Sequence, residues 1–182
     1  MSGMVHVYTG KGKGKTTAAF GLAIRAVGAG KNVYIAQFVK GMKYSELKSL
    51  KKIERIEIKQ YGLNYFIKGK AEQEDINAAR KGLIEVARIL KSGEYDLVIL
   101  DEANIAVYYD LFSVEQLIKA LENRAEEVEV VITGRYAADK IIEYADLVTE
   151  MKEIKHYTKK ELKQELELKN KILRYFEAAA ST

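Results

Sequence analysis

Apolar positions fall into short runs separated by longer stretches with helical periodicity. Val5–Thr9 forms a short apolar run, followed by a Gly/Lys loop at Gly10–Lys15. A helix is expected from about Thr16 to Ala29, with Phe20, Ile24 and Val27 on one face and Gly28 and Gly30 ending it. Asn32–Val39 has the β-branched and aromatic content of a buried strand. Gly41–Lys52 is polar and partly helical. Ile53–Tyr61 contains an alternating strand, and Gly62–Lys70 is an aromatic, glycine-bearing loop. A long helix from about Glu72 to Lys91 keeps Ile76, Leu83, Ala87 and Leu90 on one stripe, and Ser92 and Gly93 stop it. Asp96–Leu100 is a continuous apolar run of the kind that suits a central parallel strand. Ser113 opens a helix with Gln116 at the capping-box position, and Val114, Leu117, Ile118 and Leu121 form its apolar face. Glu129–Thr133 is a strand, a helix lies near Ala137–Ala145, and Leu147–Met151 is a further strand. Thr158 with Glu161 caps a last amphipathic helix carrying Leu162, Leu166, Leu173 and Phe176.

Strands alternating with helices indicate βαβ units. The expected architecture is α/β, a mainly parallel sheet with helices on both faces. Residues 1–158 would form the main body, and residues 159–182 a helical extension of the same domain. A length of 182 residues suits one such domain. The apolar fraction of 48% and charged fraction of 31% are those of a soluble globular chain. Cysteine is absent, which excludes disulfides, thiolate metal sites and a cysteine nucleophile. His6 and His156 are the only histidines, too few for a His-rich metal centre. No apolar run approaches the ~18 residues of a membrane span. The first residues carry no basic leader, so the expected location is the cytoplasm. A net charge of +4 suits an anionic ligand and does not argue for nucleic acid.

The strongest motif is Thr9-Gly10-Lys11-Gly12-Lys13-Gly14-Lys15-Thr16-Thr17, between the first strand and the first helix. That is the context a phosphate loop requires. Glycines let several backbone N–H groups converge on phosphate oxygens, and the helix N-terminus adds about half a positive charge. Lys15 can neutralise a phosphate and the Thr16 hydroxyl can hold magnesium. Thr9 stands where the strict pattern has glycine. A flexible lysine-rich turn is the competing reading, and the order strand, loop, helix disfavours it. The apolar run ending in Asp101-Glu102 supplies two carboxylates at a strand's C-terminal end, where open α/β sheets bind ligands. One of them could bind a metal directly or through water, or could only cap a helix or pair with a lysine. Together the two motifs indicate a nucleotide site without identifying its reaction.

Further blocks carry a more specific likeness. The stretch Val7-Tyr8-Thr9-Gly10 through Phe20-Gly21, continuing to Arg25-Ala26-Val27-Gly28, resembles the opening of the ATP:corrinoid adenosyltransferases of cobalamin biosynthesis. Gln37-Phe38-Val39-Lys40-Gly41, Asp101-Glu102-Ala103-Asn104, Thr133-Gly134-Arg135, Ala145–Met151 and Lys155-His156 resemble later segments of that family, in family order. The resemblance implies transfer of the 5′-deoxyadenosyl group of ATP to the cobalt of a reduced corrinoid, with triphosphate released. It also implies a nucleotide lying in the loop with reversed polarity, so that C5′ faces the corrinoid.

By the same resemblance, Gly10, Lys11, Gly12, Lys13, Gly14, Lys15, Thr16 and Thr17 would hold the triphosphate. Thr16 would ligate magnesium or manganese, with Glu102 and Asp101 supporting the ion. Arg25 and Arg135 would contact the nucleotide. Tyr61, Tyr65 and Phe66 would offer aromatic surface to the corrinoid, and Lys155 and His156 would face its polar rim. The aromatic cluster is read equally well as a cover over the sheet edge. Arg25 is read as well as an exposed helix arginine, Arg135 as a structural ion pair, and Lys155-His156 as a solvated turn. A homodimer and a separate electron donor are implied partners, with no nucleic acid or membrane.

Lys11 departs from the Asn or Asp common in the family loop. An N-terminal extension that covers the corrinoid in some relatives is not expected here, and the Lys/Glu helix 159–177 replaces a glycine- and basic-rich ending. Two competing functions remain. One is a phosphate-loop ATPase or kinase, which would release ADP. The other is a non-catalytic carrier of a corrinoid or a nucleotide.

Overall fold

The computed structural model describes residues 2–41, 45–63, 67 and 69–155. The chain divides into two compact units, Met1–Lys152 and Glu153–Thr182. All elements below belong to the first unit. The expected helix at 159–177 and the side chains of Tyr65, Phe66 and His156 lie outside the described residues.

In chain order the elements are β1 (Val5–Thr9), α1 (Lys15–Gly28), β2 (Val33–Phe38), α2 (Ser45–Leu50), β3 (Ile56–Tyr61) and α3 (Gln73–Ser92). Then come β4 (Leu97–Asp101), α4 (Ala103–Tyr108), α5 (Val114–Glu122), β5 (Glu129–Thr133), α6 (Asp139–Tyr144) and β6 (Leu147–Glu150). The strands form one sheet of order β3-β2-β4-β5-β1-β6, and every pairing is parallel. The expected α/β architecture is the observed one.

Helices on both faces explain why β2 and β4 are buried at every residue. Alternate residues of β2 serve opposite cores, as the two-residue period of a strand demands. Tyr34, Ala36 and Phe38 join Leu100, Phe112, Leu117, Leu121 and Ile132 on one side. Val33 and Ile35 join Ala19, Phe20, Ala23, Ile99 and Val131 under α1 on the other. Parallel crossovers bring the C-terminal ends of β1, β2, β4 and β5 to the same edge. The loops of that edge build the site.

Three local expectations change. The buried face of α1 is Ala19, Phe20 and Ala23, whereas Ile24 is 54% exposed. Small residues let α1 approach the sheet closely, and Ile24, one step of about 100° beyond Ala23, turns outward. Helix α4 has no counterpart among the expected elements, being a six-residue turn that starts directly after Glu102. Tyr61 is a core residue. It is 7% exposed, its ring stacks on Phe38 at 5.7 Å, and its hydroxyl pairs with that of Tyr34 at 2.6 Å. Burial raises the pKa of both phenols, that of Tyr34 to about 12.

Candidate active site

The phosphate loop is held by its glycines and by the strand beside it. Gly10 has φ +95° and Gly14 φ +110°, a region that costs a side chain but not a glycine. At Gly12 the constraint is space: its N–H donates to the Met151 carbonyl at 2.7 Å, and a Cβ there would stand 2.6 Å from that same oxygen. Thr9 replaces the first glycine of the strict motif without strain because it is still part of β1. Its hydroxyl accepts from the Ala137 N–H at 3.4 Å, tying the loop to the turn before α6.

Lys15 is 8% exposed and curls over its own loop, donating to the Gly10 carbonyl at 2.8 Å and the Gly12 carbonyl at 2.6 Å. Burial lowers its pKa; Glu102 opposes that shift and Arg135 adds to it. Thr16 donates its hydroxyl to Asp101 Oδ1 at 2.8 Å. Asp101 is fully buried and is the hub of the site. The Thr133 hydroxyl donates to Oδ1 at 2.7 Å, while Gln37 at 3.0 Å and Lys40 at 2.7 Å donate to Oδ2. Burial disfavours the Lys40 charge, but the Asp101 carboxylate outweighs it and the Lys40 pKa lies above the usual lysine value.

Glu102 follows with φ +59°, a left-handed conformation that turns the chain from β4 into α4. Its carboxyl pKa is raised, first by burial and then by the adjacent Asp101; Lys40, Lys15 and Arg135 pull it back. Gly134 passes close by: a Cβ on it would meet Asn104 Cβ at 2.9 Å and Glu102 Oε2 at 3.3 Å. Asn104 is buried and donates to the Gly134 carbonyl at 3.3 Å, which holds the turn bearing Arg135.

These groups surround a cleft of about 610 Å³. Gly12–Thr17, Lys40, Glu102 and Arg135 form its polar wall, and Val39, Ile67, Ile105, Tyr109 and Tyr136 its apolar wall. The structure therefore brings the loop, Glu102 and Arg135 together, with Asp101 bonded behind them. Arg25 is not among them. It is exposed in the last turn of α1, ten residues from Lys15 and so about 15 Å along the axis. Tyr61 is absent from the lining because it belongs to the core. Lys155 is exposed and falls in the second unit.

The sequence blocks that contain Gln37, Lys40 and Thr133 carry the family likeness, but sequence reasoning gave these three residues no site role. Their signal was a polar residue at or just past the C-terminal end of an apolar strand. Tyr109 and Tyr136 carried no such signal.

The chain matches the family model described as ATP:corrinoid adenosyltransferase BtuR/CobO/CobP over residues 1–166. It belongs to that family. It is 38% identical over 154 residues to a corrinoid adenosyltransferase of Escherichia coli strain K12, which covers 85% of this chain and 79% of the relative. The corrinoid adenosyltransferase CobA of Salmonella typhimurium is 38% identical over 154 residues, with the same coverage. A corrinoid adenosyltransferase of a Sinorhizobium species is 35% identical over 158 residues, covering 85% of this chain and 74% of the relative. Among the described residues, no helix of this adenosyltransferase-family chain is long and apolar enough to cross a membrane.

Proposed function

We propose that the protein transfers the 5′-deoxyadenosyl group of ATP to the cobalt of a reduced corrinoid. The cobalt(I) electron pair attacks C5′ and forms the cobalt–carbon bond. The C5′–O bond to the α-phosphoryl group breaks, and the triphosphate leaves with that bonding pair. Cobalt is the nucleophile, so the protein's tasks are to position C5′ and to stabilise the leaving group. The observation that most supports this reading is the set of groups that line a single cleft: the loop with Lys15 and Thr16, together with Glu102 and Arg135.

The loop from Gly10 to Thr17 holds the triphosphate through backbone N–H groups and the start of α1. Lys15 leaves the Gly10 and Gly12 carbonyls for the phosphates, and Lys13 and Arg135 add charge where the leaving group develops its own. Lys11 raises the positive potential beside it. Arg25 and Tyr61, placed away from the cleft, are left out of this assignment.

Among the described residues no three or more His, Asp or Glu side chains form a self-sufficient metal cage. Magnesium does not require one, since it takes much of its shell from phosphate and water. Thr16 Oγ1 and the Glu102 carboxylate suit such an ion, and the burial of Glu102 beside Asp101 is a pairing that a cation relieves. When bound, the ion would neutralise part of the triphosphate charge. The same reading has the enzyme working in the cytoplasm as a homodimer with a separate electron donor. Sedimentation of the pure protein tests the dimer.

An anaerobic mixture of protein, ATP, magnesium and prereduced cob(I)alamin tests the reaction. The expected products are a light-sensitive alkylcobalamin spectrum and triphosphate. ADP and phosphate in place of these would overturn the reading in favour of an ATPase. Lys15→Ala is expected to lose at least about a hundredfold in kcat, about 2.7 kcal/mol of transition-state stabilisation. Turnover within threefold of the parent would remove the loop lysine from the mechanism.

A further inference from the structure

Tyr108 and Tyr136 stack on each other with ring centroids 4.3 Å apart and planes inclined by 28°. They come from different elements, the end of α4 and the turn after β5. Both are exposed, at 54% and 47%, so the stack contributes nothing to the core. Tyr109 meets Tyr108 edge-on at 5.4 Å and, with Tyr136, lines the cleft. Tyr136 also has φ +59°, a left-handed conformation uncommon for a bulky residue. A rigid aromatic ledge thus borders the cleft, on the apolar side, next to Arg135.

Size decides what meets that ledge. A cleft of about 610 Å³ suits one nucleotide-sized ligand. With ATP inside, the far larger corrin macrocycle lies across the mouth, where the exposed rings are. We propose that Tyr108 and Tyr136 form a corrinoid-binding surface. Their ring faces cover the apolar edge of the macrocycle, and their hydroxyls reach its amide rim, the division of labour that tyrosine offers at wet interfaces. The proposal rests on the adenosyltransferase reading for the identity of the second substrate.

The test uses the full chain and three variants. Tyr108→Ala leaves a strong helix former in α4. Tyr136→Ala removes the ring from the cleft, and Tyr136→Phe keeps the ring without the hydroxyl. Steady-state kinetics are measured with ATP and prereduced cob(I)alamin, and equilibrium dialysis with aquacobalamin measures binding without turnover. Both alanine variants are expected to raise the KM for cob(I)alamin about tenfold and to weaken aquacobalamin binding to a similar degree. For Tyr108→Ala, whose ring is not part of the cleft lining, the KM for ATP is expected to stay within about twofold, and Tyr136→Phe is expected to restore most of the corrinoid affinity that Tyr136→Ala loses. A raised KM for ATP alone would assign the ledge to adenine instead. Loss of self-association with unchanged KM for the corrinoid would assign it to a second copy of the chain. Either result, or no change, overturns the proposal. A parent protein that binds aquacobalamin but makes no alkylcobalamin overturns the reaction, and weaker dialysis binding by the variants would still uphold the ledge.

Discussion

One buried carboxylate collects four donors from four segments of the chain. Asp101 accepts from Thr16, Gln37, Lys40 and Thr133, and so ties α1, β2 and the residues after it, and β5 to the end of β4. Removing it leaves the half-buried Lys40 ammonium without that partner. Asp101→Ala is expected to cost about 3–5 kcal/mol, read as a lower urea midpoint at unchanged slope. Glu102 has the opposite sign. Its pKa is raised in the fold, so the folded state binds the proton more tightly than the unfolded chain. Its ionised form costs stability, fully so above the folded pKa and not at all below the unfolded value near 4.5. Glu102→Gln is therefore expected to raise the melting temperature at pH 7 and leave it unchanged near pH 3, while lowering turnover. An unchanged melting temperature at pH 7 would count against this account. Lys15, Thr16 and Glu102 were legible in the sequence because each sits in a contiguous motif. Gln37, Lys40 and Thr133 stood in the family blocks without an assigned role, because their shared bonding to Asp101 depends on the meeting of strand ends, which the order of strands decides. Arg25, expected at the nucleotide from the family resemblance, is exposed in the last turn of α1 and does not line the cleft.

The elements themselves were more legible than their faces. The strand runs at β2, β4 and β5 stand out because residues buried on both sides leave a nearly unbroken apolar signature, whereas β1 alternates buried and half-buried positions. On α1 the bulky Ile24 outweighed the small Ala19 and Ala23 in the pattern, and α4 is too short for any periodicity to show. Tyr61 illustrates the same limit. Its place in β3 was expected, but its direction was set by α3, where Gly82 leaves room for the ring. A Cβ on Gly82 would stand 2.5 Å from Tyr61 Cγ. Helix propensity alone would make Gly82→Ala a gain of about 1 kcal/mol. The contact is expected to reverse the sign and cost about 1–3 kcal/mol, measured by thermal unfolding. In a Tyr61→Ala background the cost should shrink without vanishing, because Tyr61 Cβ itself would stand 2.8 Å from the new methyl group.

At the scale of the molecule the sheet has a firm middle and a lightly held edge. β2 and β4 are buried throughout, while every residue of β6 is exposed and, among the described residues, pairs only with β1. Hydrogen exchange should show amides of β4 opening only with global unfolding and those of Leu147–Glu150 opening locally. Equal protection of the two strands would contradict this.

The place of β1 has a consequence for synthesis on the ribosome. β1 carries the phosphate loop, yet its strand partners are β5 and β6, whose residues begin at Glu129 and Leu147. The loop residues stay unassembled until the strands that begin at Glu129 and Leu147 have been made. At about 5–20 residues per second that delay is roughly six to thirty seconds. Nucleotide stabilises only chains that can bind it. ATP therefore cannot assist folding before β5 and β6 have emerged, and any protection it gives reaches only polypeptides that already carry both strands.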